Sequence, residues 1–158
     1  MCYNAWPAFY IYTRVKAITM RNFQTLNQFE NDQDTGILYI SARDDNNMQP
    51  RISMRREGSY IAISASYGPL EIAMRLHIQE FARVLSRLRP VQGLQTTRNI
   101  GTGQAYISVG LQEDHGLVMR PTIIGDATGH ICLNLILANN VREALHQWLP
   151  VPDLRTPQ

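Results

Sequence analysis

Apolar and polar side chains alternate with a period of two along much of this chain. In AFYIYTRVKAI (8–18), Phe9, Ile11, Thr13 and Val15 share one face, with Tyr10, Tyr12, Arg14 and Lys16 on the other, which predicts a strand. The next stretch, TMRNFQTLNQFENDQDTG, is polar, ends in turn residues and reads as a loop, with at most a short helical turn around Phe23 and Leu26. ILYISAR (37–43) then sets Leu38, Ile40 and Ala42 against Tyr39, Ser41 and Arg43. RISMRRE (51–57) sets Ile52 and Met54 against Arg51, Ser53 and Arg55. After a turn at Gly58, YIAISASY (60–67) sets Ile61, Ile63 and Ala65 against Tyr60, Ala62 and Ser64. Such a run predicts an antiparallel meander with one face on the core and one facing water.

Beyond Gly68-Pro69 the spacing changes. Leu70, Met74, Ile78, Phe81, Leu85 and Leu88 lie three or four apart, which predicts one helix closed by Pro90, with Glu71 pairing to Arg75 on its solvated side. The second half follows the same order with weaker signals. VQGLQTTRN (91–99) is a poor strand and QAYISVGL (104–111) a good one; LVMRPTII (117–124) carries Pro121 and reads as an edge, and HICLNLIL (130–137) is strongly apolar. Asn140 and Glu143 form a variant capping box ahead of the stripe Val141, Ala144, Leu145, Trp148 and Leu149, closed by Pro150. Two heptapeptides match, TGILYIS (35–41) and TGQAYIS (102–108), as do LRPV (88–91) and WLPV (148–151). The expectation is an α+β chain of two pseudo-repeated ββββα units, about 8–90 and 91–150, each antiparallel sheet covered by one helix. Both would belong to a single compact domain, with 151–158 a frayed tail.

Composition adds bounds. A length of 158 residues with 44% apolar content suits one ordinary globular domain. With no apolar run of about 18 residues, no membrane span is expected. MCYNAWPAFYIYTRVKA lacks a basic leader before an apolar core and reads as mature protein. Cys2 and Cys132 make no disulfide framework, which points to a reduced, cytosolic chain. The net charge of +2 is small, yet Lys16 is the only lysine and every other basic side chain is arginine. Arginine's planar fork suits phosphate and stacks on bases, although codon usage in a GC-rich genome gives the same bias.

The side chains opposite the predicted core faces form a basic, aromatic surface: Tyr10, Tyr12, Arg14, Lys16, Tyr39, Arg43, Arg51, Arg55 and Tyr60 in the first half, thinning to Tyr106 and Arg120 with Ser108, Thr122, His130 and Asn134 in the second. Acids concentrate in the turns instead, as at Asp32, Asp34, Asp44, Asp45, Glu113 and Asp114. Aromatics offer bases a stacking platform and guanidinium groups track phosphates. The same residue types also suit any solvated sheet face, because tyrosine and threonine favour strands.

In element order and face chemistry, residues 8–150 resemble the Whirly and Pur-type single-stranded nucleic-acid-binding proteins and the related transcriptional-coactivator fold. The resemblance implies binding of single-stranded DNA or RNA and oligomerisation through helices or edge strands; it carries over no individual residue. The primary expectation is a non-enzymatic, cytoplasmic or nucleoid-associated homo-oligomer that binds single strands without a cofactor. A protein-docking or assembly module is the alternative, and an enzyme with a cleft between the sheets comes third. Glu113-Asp114-His115, Asp126 and His130 fit turn chemistry better than a metal site. His77 reads as a packed or boundary histidine of the first helix and His146 as exposed on the second. The glycines of RNIGTGQAY and IIGDATGH lack the strand-to-helix context of a phosphate cradle.

Overall fold

The computed structural model describes residues 22–43, 48–90 and 97–153. The strand expected over 8–18 lies outside them. Among the described residues the chain is an α+β protein, mostly sheet, with two sheets and two helices.

One sheet has five strands in simple meander order: β2 (Gln28–Asp32), β3 (Ile37–Ser41), β4 (Arg51–Glu57), β5 (Tyr60–Tyr67) and β6 (Leu70–His77), all antiparallel. Leu38, Ile40, Ile52, Met54, Ile61, Ile63 and Ala65 are buried, the face that the alternation assigns to the core. Helix α1 (Ile78–Arg87) follows β6 without a loop; the amide of Ile78 donates to the carbonyl of Ser59 at 2.9 Å, tying the helix start to the β4–β5 turn. Phe81, fully buried, anchors the helix with Ile78, Ala82, Val84 and Leu85.

The second sheet orders its strands β1 (Gln24–Leu26), β11 (Leu135–Leu137), β9 (Leu117–Asp126), β8 (Ala105–Leu111) and β7 (Arg98–Gly101), with β10 (Gly129–Cys132) also on β9. Its pairings are antiparallel except β1 with β11. Helix α2 (Asn139–Trp148) follows and packs against β2 of the other sheet, while α1 packs against both β6 and β7. One hydrophobic cluster runs through both sheets and both helices, from Leu38 and Met54 to Met119, Leu137, Val141 and Leu145.

Several expectations are corrected. The segment from Leu70 is not helical until Ile78: Ile72, Met74 and Leu76 are buried and Glu71, Ala73, Arg75 and His77 exposed, the alternation of a strand. Glu71 and Arg75 are therefore not a helical pair. The polar run before Thr35 holds β1 and β2, with Leu26 fully buried. Pro121 does not mark an edge, since β9 has neighbours on both sides. It interrupts instead. The Pro121 carbonyl accepts from the amide of Leu133 at 3.1 Å, but proline has no N–H to return the second bond of that pair. The partner strand splits there into β10 and β11 while keeping its register across the gap, Cys132 opposite Thr122 and Leu135 opposite Met119. At α2 the cap residue is Ala138 without a side-chain cap. Asn140 spends its amide on the carbonyl of Asn27 at 3.1 Å, and Asn139 accepts from Arg142.

Candidate nucleic-acid interface

The outward face of the five-stranded sheet can be read row by row from its register. One row runs Glu30, Tyr39, Ser53, Ser64, Ala73. On one side lie Gln28, Ser41, Arg51, Ser66 and Glu71; on the other, Asp32, Ile37, Arg55, Ala62 and Arg75. Successive rows on one face are about 7 Å apart. Because the middle row is made of small side chains beyond Tyr39, the face sinks into a trough. A depression of about 570 Å³ is floored by Ser53, Ala62, Ser64 and Ala73 and walled by Arg55 and Arg75. An adjoining one of about 400 Å³ shares Ser53 and Ser64 and is bounded by Tyr39, Arg51 and Glu30.

The charges here are ordered. Glu57, at the end of β4, accepts from Arg55 Nε at 3.2 Å and from the same guanidinium's Nη2, and pairs with Arg75 Nε at 3.1 Å. These contacts, the Arg55 hydrogen bond foremost, hold the Glu57 carboxyl below its ordinary range. Glu71 accepts from Ser64 Oγ at 2.6 Å. Arg75 lies 4.9 Å above the ring of Tyr60, whose centroid is 4.5 Å from that of His77. Tyr60 is thus engaged by its neighbours, whereas Tyr39, 42% exposed, stands open beside the trough.

The expected site residues divide into three groups. Tyr39, Arg43, Arg51, Arg55 and Tyr60 lie on or at the end of this one face. Tyr106 and Arg120 belong to the other sheet, whose outward side is largely covered: Ser108 and Thr122 are buried, with Ser108 Oγ donating to Asn99 Oδ1 at 2.7 Å. Half-buried Arg120 donates from Nε to Asn134 Oδ1 at 2.8 Å and from Nη2 toward Cys132 Sγ at 3.6 Å. Tyr10, Tyr12, Arg14 and Lys16 lie outside the described residues.

The expectation that carboxylates stay in the turns is also corrected, because Glu30, Glu57 and Glu71 stand on or at the end of the same face. Arg75, Glu71 and His77 were hidden by the helical reading of β6; the alternation of Ile72, Met74 and Leu76 is the signal that could have found them. His77 is exposed at the end of β6 and is the cap residue at the start of α1, a boundary position rather than a packed one. His146 is half-buried rather than exposed, and burial, reinforced by the Arg142 charge, lowers its imidazole pKa.

Glu113, Asp114 and His115 form the β8–β9 turn, with His115 at φ +67°. No group of three metal-ligating side chains occurs among the described residues, and no helix there is long and apolar enough to cross a membrane. No protein-family model, no curated protein and no solved structure matches the chain.

Proposed function

We propose that the outward face of the five-stranded sheet binds single-stranded nucleic acid. One observation carries this reading: open Tyr39 shares a cross-strand row with a floor of small residues, and arginines flank that row on either side. A base laid on Tyr39 meets only small side chains on the side of the row that runs through Ser53, Ser64 and Ala73, while Arg51 and Arg55 stand about two residues away along β4 to meet phosphates. The protein then acts by binding alone, without a cofactor, in the cytoplasm or with the nucleoid. Strands β2, β6 and β7, at the sheet edges among the described residues, give it a route to homo-oligomers.

The two halves are read as a duplicated unit of the Whirly and Pur-like kind. In support, both matching heptapeptides supply a hairpin turn and then the second strand of a meander, β3 after β2 and β8 after β7.

Anisotropy of a labelled single-stranded oligonucleotide of about 30 nucleotides, titrated at two salt concentrations, tests the proposal. Tyr39→Ala should cost about 1–3 kcal/mol of binding, the worth of one stacked base. Duplex DNA should bind more weakly. Absence of binding at low salt would sink the proposal.

A second reading, docking of another protein, is favoured by the carboxylates Glu30, Glu57 and Glu71 among the arginines, a mixture suited to a polypeptide carrying both signs. It calls for a complex that survives nuclease treatment.

A further inference from the structure

Behind the sheet face, the β2–β3 turn, the end of β4 and the last turn of α2 enclose a groove of about 500 Å³. Asn31, Gln33 and Gln147 line it together with Arg55, Arg56 and Trp148. We propose that this groove is a separate anion site that takes a phosphoryl group on Arg56.

The sequence places Arg56 there through the same alternation that builds the core. Arg56 pairs with Ile61 and so projects to the core side of the sheet, but at the strand end, where the core stops and α2 begins. Its guanidinium lies 4.8 Å from the Trp148 ring. That cation–π contact restrains the guanidinium, whose planar fork is suited to receive two oxygens at once. Arg56 is exposed, and its guanidinium makes no hydrogen bond or ion pair with any described residue. Arg55, which lines both the groove and the sheet trough, brings a second guanidinium, itself tied to Glu57. The three carboxamides add neutral donors.

No carboxylate occurs among the described residues that line the groove. Three carboxylates adjoin lining residues in sequence: Asp32 is turned into its own loop, accepting from Thr35 Oγ1 at 2.7 Å and from the Asp34 amide at 3.0 Å, Glu57 is engaged by Arg55 and Arg75, and Asp34 stands in the β2–β3 turn. A carboxylate ligand is satisfied by one fork, whereas two guanidinium groups beside neutral donors suit the dianionic phosphoryl group. Arg56 also complements the carbonyl end of α2, a structural role that asks for no ligand. The test therefore has to read binding itself.

The experiment is a titration of the full chain with inorganic phosphate at constant ionic strength, followed by NMR at the Trp148 indole N–H and the Arg56 Nε–H. Saturable shifts of both signals in the millimolar range, several-fold weaker with acetate, are expected. Arg56→Gln should abolish the response at Trp148 and leave the remaining amide spectrum in place; Arg87→Gln, on α1, should keep it. Two oligonucleotides, one with a 5′-phosphate and one with a 5′-hydroxyl, then separate the sources. Arg56-dependent preference for the phosphorylated strand assigns the site to a strand end, and equal affinity assigns it to a small phosphate monoester. Shifts that fail to saturate, that acetate reproduces equally, or that persist in Arg56→Gln overturn the site. Because the phosphate titration needs no oligonucleotide, it stands or falls apart from the sheet-face proposal.

Discussion

Gly101 shows how much a single residue can carry. It ends β7 at φ +128°, a conformation rarely open to L side chains. A Cβ there would stand 2.5 Å from the Ala105 carbonyl oxygen and 3.2 Å from Leu76 Cδ2, where the two sheets meet. Neither the backbone nor the buried leucine can step aside cheaply, so Gly101→Ala should cost about 2–4 kcal/mol, strain and overpacking together, read from urea unfolding. Asp32 makes a second residue-scale case. The Thr35 hydroxyl, followed by the Asp34 amide, hydrogen-bonds its carboxylate and lowers its pKa below the ordinary value. A depressed folded pKa means a contribution present above the unfolded pKa and lost as pH falls through the folded one. Asp32→Asn should therefore lose less stability than the parent between pH 7 and about pH 3, when both are unfolded in urea. Asp126, hydrogen-bonded to Thr128 in the same manner, adds its own loss over the same window in both proteins.

At the scale of elements, β6 separates two readings of one sequence. Leu70, Met74 and Ile78 fall on one side of a helix, while Ile72, Met74, Leu76 and Ile78 fall on one side of a strand, so apolar positions alone do not decide. Burial decides for the strand, with Ala73 exposed between buried Ile72 and Met74. Ala73→Thr should then be neutral or stabilising by up to about 1 kcal/mol, as β-branched residues are in strands, where a helix would be weakened. Equilibrium unfolding in urea reads the sign. Strands β3, β4 and β5 were legible because each has one buried and one wet face, so period two is written into their letters. Strand β2 was not, because QFEND is exposed almost throughout and its single apolar residue, Phe29, is itself exposed and cannot report a period. In the other sheet, β8 is buried from Ile107 to Leu111, so its outward side chains look like core. Of the candidate site, the strands β3, β4 and β5 delivered their tyrosines and arginines, while the misread β6 hid Glu71 and Arg75. The groove at Arg56 was beyond reach from the letters, because it needs α2 brought to the end of β4.

For the molecule as a whole, the balance of charge on the binding face governs how strongly it meets a polyanion. Arg43, Arg51, Arg55 and Arg75 stand against Glu30, Asp32, Glu57 and Glu71, so a surface that reads as basic strand by strand is close to neutral once folded. Glu57 matters most in that balance, since one carboxylate engages two of the arginines. Replacing it with Gln removes the negative charge, keeps a neutral acceptor and frees Arg55 and Arg75 to meet phosphates. On single strands each added phosphate contact steepens the log–log salt dependence by about 0.7, so Glu57→Gln should make the slope more negative by about 0.7–1.4 and tighten binding at low salt. Arg87→Gln, on the exposed last turn of α1 and away from this face, should leave the slope unchanged. The same pair of titrations separates the two functional readings. If the face docks a polypeptide instead, freeing the arginines removes a charge that the partner's own basic groups would have met, and Glu57→Gln weakens that complex without creating affinity for the oligonucleotide.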